Sequence, residues 1–179
     1  MIRVAIVDDH AIVRTGLRQF LSEQVDLRVT GEAANGREAL ELARGGETDV
    51  MLMDLSMPDQ GGVDALAAIK ARFPDLHILI LSGFPEAHYA TTLLRQGASG
   101  YINKEADPEE IVKAIRTVAL GRRYITPAVA EMLADGMAAG GDRPAHENLS
   151  ERELQVFLRL AKGETIGHMA ESMFLSVKT

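Results

Sequence analysis

"DVMLMDLSMPDQGG", residues 49–62, decides the fold. Four apolar residues in succession, Val50 to Met53, suit a strand covered on both faces, because hydrophobic alternation is lost when neither face meets water. The run ends on Asp54. Met57-Pro58 and the pair Gly61-Gly62 then turn the chain. A carboxylate at the mouth of a buried strand demands a chemical reason.

Working outward, four more apolar segments read as strands: "IRVAIV", "LRVTGEA", "LHILIL" and "SGYIN". Stretches with helical spacing separate them. Val13, Leu17, Phe20 and Leu21 share one helical face, as do Ile111, Ile115 and Val118. Residues 36–44, 63–72 and 86–95 supply three further short helices. Strands alternating with helices predict parallel pairing and right-handed crossovers, hence an α/β protein with helices on both faces of the sheet. Such a sheet carries its functional groups at the carboxyl ends of its strands.

Those ends hold a distinctive set. The first strand runs into Asp8-Asp9, the third into Asp54, the fourth into Ser82 and the fifth into Lys104. If the first and third strands are neighbours, three carboxylates converge. Two like charges about 4 Å apart repel by on the order of 4 kcal/mol at an effective dielectric near 20. Besides Lys104, a hard divalent cation is the natural counter-charge, and oxygen donors with water favour Mg2+. Asp54 can then be a nucleophile toward phosphorus, next to a metal that screens the incoming phosphoryl oxygens. Taken singly, each residue has a plainer explanation: strand end and helix cap for Asp8-Asp9, turn chemistry for Asp54, surface lysine for Lys104, core packing for Tyr101. Their shared position at carboxyl ends is what those explanations leave out. His10 reads as a helix-start residue.

Composition narrows the options. With 179 residues, 46% hydrophobic and 25% charged, the chain can build one good core plus a small second domain. A net charge of −7 offers no overall basic field for nucleic acid. The absence of cysteine removes disulfides, thiolate metal sites and a cysteine nucleophile. The five histidines are scattered, with none at metal-ligand spacing from another. No apolar run has the length of a membrane span, and a cytoplasmic location is the expectation.

"VDDH", "DVMLMDLSMPDQGG", "LILSG" and "GYINKE" resemble the sequence blocks of receiver domains in two-component response regulators. The resemblance spans residues 2–120. It implies a five-stranded, doubly wound, flavodoxin-like sheet of order 2-1-3-4-5, with a receiver domain over 1–121. It further implies that Asp54 accepts a phosphoryl group from a phosphohistidine of a sensor histidine kinase. Asp9, Asp54 and the Ser56 backbone carbonyl would ligate Mg2+ (or Mn2+), with Asp8 assisting through water. Lys104 would pair with the phosphoryl group, Ser82 would donate a hydrogen bond to it, and Tyr101 would change rotamer as the switch operates. By the same resemblance Ser56 and bulky Phe84 flank the path of the hydrolytic water and tune the lifetime of the phosphorylated state.

Beyond Thr126 the pattern changes. Pro127 to Asp135 suits one more helix, with proline in its first turn. "GMAAGGDRPAHEN", residues 136–148, carries three glycines and a proline and reads as a linker. Residues 122–148 are thus expected to hold a helix and a flexible linker. "LSERELQVFLRLAKG" then opens with a capping box, Ser150 with Glu153, and ends on Gly163. From Leu149 the chain resembles the helix-turn-helix of NarL/FixJ (LuxR-type) regulators. That resemblance implies a partial all-α DNA-binding domain over 149–179, in which Ser176 caps the recognition helix and Lys178 and Thr179 enter its first turn. Three or four residues cannot hold that helix, so residues 149–179 read as the incomplete N-terminal part of the domain. His168 stands where the family usually has a capping glutamate. Residues 142–179 carry five Lys/Arg against six Asp/Glu, without a basic patch.

The expected protein is therefore a phospho-accepting switch and not an enzyme, with at most slow self-catalysed phosphotransfer and dephosphorylation. Its expected partners are a sensor histidine kinase, DNA once the C-terminal domain is complete, and a second copy on phosphorylation. Two other readings stay open. A receiver acting through protein contacts alone would share every receiver residue. A Mg2+-dependent aspartyl phosphatase would normally carry a second acidic residue two positions after the nucleophile, where this chain has Ser56.

Overall fold

The computed structural model describes residues 1–57, 62–83 and 86–131, with side chains left out over 86–89. Five strands, β1 (Ile2–Val7), β2 (Leu27–Ala33), β3 (Val50–Met53), β4 (His77–Ser82) and β5 (Gly100–Asn103), alternate with five helices. These are α1 (Ala11–Ser22), α2 (Gly36–Arg44), α3 (Gly62–Arg72), α4 (Glu86–Arg95) and α5 (Pro108–Ala119). All strand pairs are parallel, in the order β2-β1-β3-β4-β5. This is the doubly wound, flavodoxin-like α/β fold that the alternation and the resemblance lead one to expect.

The period-two geometry of the strands divides the core into two layers. Ala5, Val7, Met51, Met53, Ile78 and Ile80 face α2, α3 and α4. Val4, Ile6, Val50, Leu52, Leu79 and Leu81 face α1 and α5. All four residues of β3 are buried, which is why its sequence shows no alternation. In α2, Asn35 caps the helix by accepting from the Glu38 N–H, and the Glu38 carboxylate accepts in return from the Ala34 N–H. Pro108 starts α5 at a position where a missing N–H costs nothing.

The chain after α5 stays on this body. Tyr124 bridges to Gly100 at the sheet edge, its N–H donates to the Ser99 carbonyl at 2.9 Å, and its hydroxyl donates to Glu110 at 2.7 Å. Residues 127–131 are helical, and Val129 is buried among the residues that pack on α4. This close approach requires glycine at position 100. A Cβ there would sit 2.8 Å from both the Tyr124 carbonyl oxygen and Leu79 Cδ1. Gly100→Ala is expected to lower stability by about 1–3 kcal/mol, read as a lower urea midpoint at unchanged slope. An unchanged midpoint would mean that the segment after α5 does not press on β5.

The expected helix 127–135 is described only as far as residue 131. Phe84, the linker over 136–148 and the remnant over 149–179, with Ser176, Lys178 and Thr179, lie outside the described residues. No helix among the described residues is long and apolar enough to cross a membrane.

Candidate functional site

The adjacency of β1 and β3 brings Asp8, Asp9 and Asp54 together at one end of the sheet, because the register pairs Val7 with Met53. The Asp54 N–H donates to the Val7 carbonyl at 2.8 Å, extending that ladder into the site. On the other side of β3, the Lys104 N–H donates to the Ser82 carbonyl at 2.8 Å, which draws the residue after β5 in beside β4. All five strand-end positions thus meet in one place.

The charges are then arranged closely. Lys104 Nζ lies 2.6 Å from Asp8 Oδ2, to which it donates a hydrogen bond, and 3.0 Å from Asp54 Oδ2. Asp8 is 2% exposed and Asp54 1% exposed, so both charges sit in a poorly solvated setting. Asp8 is well partnered: its Oδ1 accepts from the His10 N–H at 2.8 Å and its Oδ2 from Lys104. Asp54 is different. Neither of its buried oxygens accepts a hydrogen bond of good geometry, and the same holds for Asp9 Oδ1. Lys104 forms an ion pair with Asp54.

Burial pushes the Asp54 carboxyl above the ordinary aspartate range, and the nearby Lys104 charge pulls it back only in part. The Asp8 charge adds to the upward push, while the Ser56 N–H opposes it. For Lys104 burial works against the ammonium, but Asp54 and Asp8 outweigh it and hold its pKa above the usual lysine value.

A carboxylate this buried and this poorly partnered fits a hard cation. Asp8, Asp9, His10 and Asp54 each offer one donor atom, all within 4.8 Å of one another. The three acidic residues form a cluster of the kind that binds a divalent metal ion. Ser56 is half-buried two residues beyond Asp54. Ser82 is fully buried at the end of β4, and Tyr101 is 1% exposed, packed in the layer that faces α4. Asp8, Asp9, Asp54, Ser82 and Lys104 of the expected set thus stand at the carboxyl ends of the strands, whereas Phe84, Ser176, Lys178 and Thr179 lie outside the described residues.

One contributor had no signal in the sequence beyond its place in "VDDH". His10 reads as a helix-start residue, and it does stand at the N-cap of α1, but its side chain makes no capping bond. The ring turns toward the site, with Nδ1 3.2 Å from Asp8 Oδ1 and 3.0 Å from Asp9 Oδ1. The actual cap is Asp8 accepting from the His10 backbone, an Asx-type turn.

A parallel sheet of this order, with a buried acidic cluster and a lysine at the carboxyl ends of its strands, is the architecture of a receiver. Residues 4–116 match the family described as response regulator receiver domain. Along its whole length the chain is 38% identical, over 180 residues, to the response regulator UvrY of Escherichia coli O6:H1, 83% of which is covered. A LuxR-family two-component response regulator from Aurantimonas sp. SI85-9A1 superposes with a TM-score of 0.70 at 36% identity, over 76% of this chain and 97% of that one. RcsB from Salmonella enterica serovar Typhimurium, in a structure bound to promoter rprA with the phosphomimetic BeF3-, superposes with a TM-score of 0.74 at 26% identity, over 99% of this chain and 85% of that one. The chain belongs to the response regulators, and within them to the NarL/FixJ type.

Proposed function

We propose that Asp54 is the phosphoacceptor and that a sensor histidine kinase supplies the phosphoryl group. The observation that carries this reading is the Asp54 carboxylate itself: buried, without a well-directed hydrogen bond, and 3.0 Å from Lys104. An Asp54 oxygen attacks phosphorus, the new O–P bond forms, and the P–N bond to the kinase histidine breaks with its electron pair returning to the imidazole. Asp9, Asp54 and the Ser56 carbonyl would hold Mg2+ (or Mn2+), with Asp8 assisting through water. The ion would supply charge neutralisation for the phosphoryl oxygens. Lys104, already poised between Asp8 and Asp54, pairs with one phosphoryl oxygen, and Ser82 donates to another. Tyr101 reports the change toward α4. Ser56 and Phe84 set how readily water reaches the acyl phosphate, so turnover is confined to slow self-catalysed uptake and loss.

The output is proposed to be transcriptional. Residues 149–179 carry the helix-turn-helix resemblance, with Ser176, Lys178 and Thr179 at the start of the recognition helix, and the RcsB relative is seen on promoter DNA. Residues 1–121 then form the receiver and 122–148 the connection. Phosphorylation shifts a pre-existing equilibrium toward a homodimer, through the first and fifth or the fourth and fifth helices, in the cytoplasm.

Intact mass after incubation with Mg2+ and a small phosphodonor tests this reading. The expected result is a single phosphoryl adduct on the wild type, absent from Asp54→Asn and blocked by a chelator. An adduct that survives Asp54→Asn would move the acceptor elsewhere, and none with either a small donor or a kinase would end the phospho-switch reading.

A further inference from the structure

We propose that Arg14, a residue outside the acidic cluster, is a positioning residue for the divalent ion. Its guanidinium clamps the peptide between Asp8 and Asp9 against β2 and so sets how tightly the site holds Mg2+. The inference rests on the cation reading given above.

Arg14 lies one turn into α1, on the side that faces β2. Glu32 of β2 stands in register with Ile6, and the period of two turns it toward α1, while Ala33 points into the opposite layer. The Glu32 carboxylate meets Arg14 Nε at 3.3 Å and Arg18 Nη1 at 3.4 Å, two arginines spaced four apart on one helical face. The shortest contact of Arg14 goes elsewhere. Its Nη1 donates to the Asp8 backbone carbonyl at 2.6 Å, and its side chain is only 18% exposed. A charge-assisted bond in a partly buried setting holds its acceptor more firmly than a neutral one.

That carbonyl belongs to the peptide joining the two acidic residues, so its rotation swings Asp9 relative to Asp8 and Asp54. The rest of Asp8 is already tied. Its N–H donates to the Ala33 carbonyl at 3.1 Å, and its carboxylate accepts from the His10 N–H at 2.8 Å and from Lys104 at 2.6 Å. Arg14 supplies the remaining restraint, and Glu32 fixes Arg14. An arginine that merely tied α1 to β2 would direct its shortest bond to the Glu32 carboxylate. Residues that orient ligands in this way govern metal affinity by about 10–100-fold. Charge and geometry here predict opposite signs. As a positive charge Arg14 repels the ion and weakens Mg2+ binding; as a clamp it strengthens it.

Calorimetric titration of the full chain with Mg2+ compares wild type, Arg14→Met, Arg14→Lys and Asp54→Asn, with urea midpoints measured alongside. Arg14→Met keeps much of the packing of the aliphatic stem but removes fork and charge. Its Mg2+ dissociation constant is expected to rise about tenfold, against the direction that charge alone would give. Arg14→Lys keeps the charge but has no fork to bridge the Asp8 carbonyl and Glu32, and a rise of about threefold or more is expected. In the metal-free protein, amide exchange at His10 should quicken in both variants while the amides of β1 stay protected. Unchanged or tighter Mg2+ binding in Arg14→Met, or in Arg14→Lys should the methionine variant not fold, overturns the clamp whatever happens to stability. Loss of binding in Asp54→Asn then leaves the phosphoacceptor reading standing. Binding that survives Asp54→Asn intact, or no binding by the wild type, ends the cation reading of the site and this inference with it.

Discussion

Gly62→Ala is expected to destabilise the protein by about 3 kcal/mol or more and to disable the site with it. A Cβ at position 62 would stand 2.3 Å from the Asp54 carbonyl oxygen and 2.6 Å from Leu55 Cα. These are backbone atoms, so no rotamer change can relieve the overlap. The close approach arises because α3 begins directly against the end of β3, with the Gly62 N–H donating to the Leu55 carbonyl at 3.1 Å. Relief must come from moving either the helix start or the residues that carry Asp54. Urea unfolding should show the loss of stability, and intact-mass assays should show reduced phosphoryl uptake by the fraction that remains folded. A loss below about 1 kcal/mol with uptake intact would mean that α3 approaches β3 less closely.

Asp54→Asn should raise stability at neutral pH in the absence of divalent cations, by on the order of 1–3 kcal/mol, the scale of a poorly satisfied buried polar group. The sign follows from proton linkage. Burial raises the Asp54 carboxyl above its ordinary value of 3.8, so the folded state holds that proton more tightly than the unfolded chain does. Protonation therefore favours folding. The cost of the buried charge is absent below about 3.8, grows as pH rises through the window up to the raised folded-state pKa, and is constant above it. The advantage of the asparagine variant should follow the same course and vanish in acid. Divalent cation should reverse the order at neutral pH, since a ligand at a hundred times its dissociation constant adds about 2.7 kcal/mol to the form that binds it. Thermal unfolding of both proteins at several pH values, with and without Mg2+, measures this directly. A variant less stable than wild type without cation would show that the Lys104 pair outweighs the burial of Asp54.

The sequence alone determined the alternation of strands and helices, because burial on both faces of β3 and on one stripe of each helix leaves different periodicities. It also placed Asp8, Asp9, Asp54, Ser82 and Lys104 on one edge, since parallel strands put all their carboxyl ends there, while their convergence required β1 and β3 to be neighbours. The Gly61-Gly62 pair was legible as a break, but a turn and a close approach look identical in sequence. Only the folded chain shows that Gly62 is there to let α3 touch the backbone of Asp54 and Leu55.

Tertiary structure alone decided how the charges are shared. Lys104 lies closer to Asp8 than to Asp54, at 2.6 against 3.0 Å, which leaves Asp54 the less satisfied carboxylate. It also decided that Tyr124 and Val129 return to the sheet edge and the layer beneath α4, and that His10 turns into the acidic cluster. Periodicity is a property of neighbours along the chain and survives in one dimension. A choice between two carboxylates at 2.6 and 3.0 Å from one ammonium depends on three-dimensional placement, and no pattern of residues encodes it.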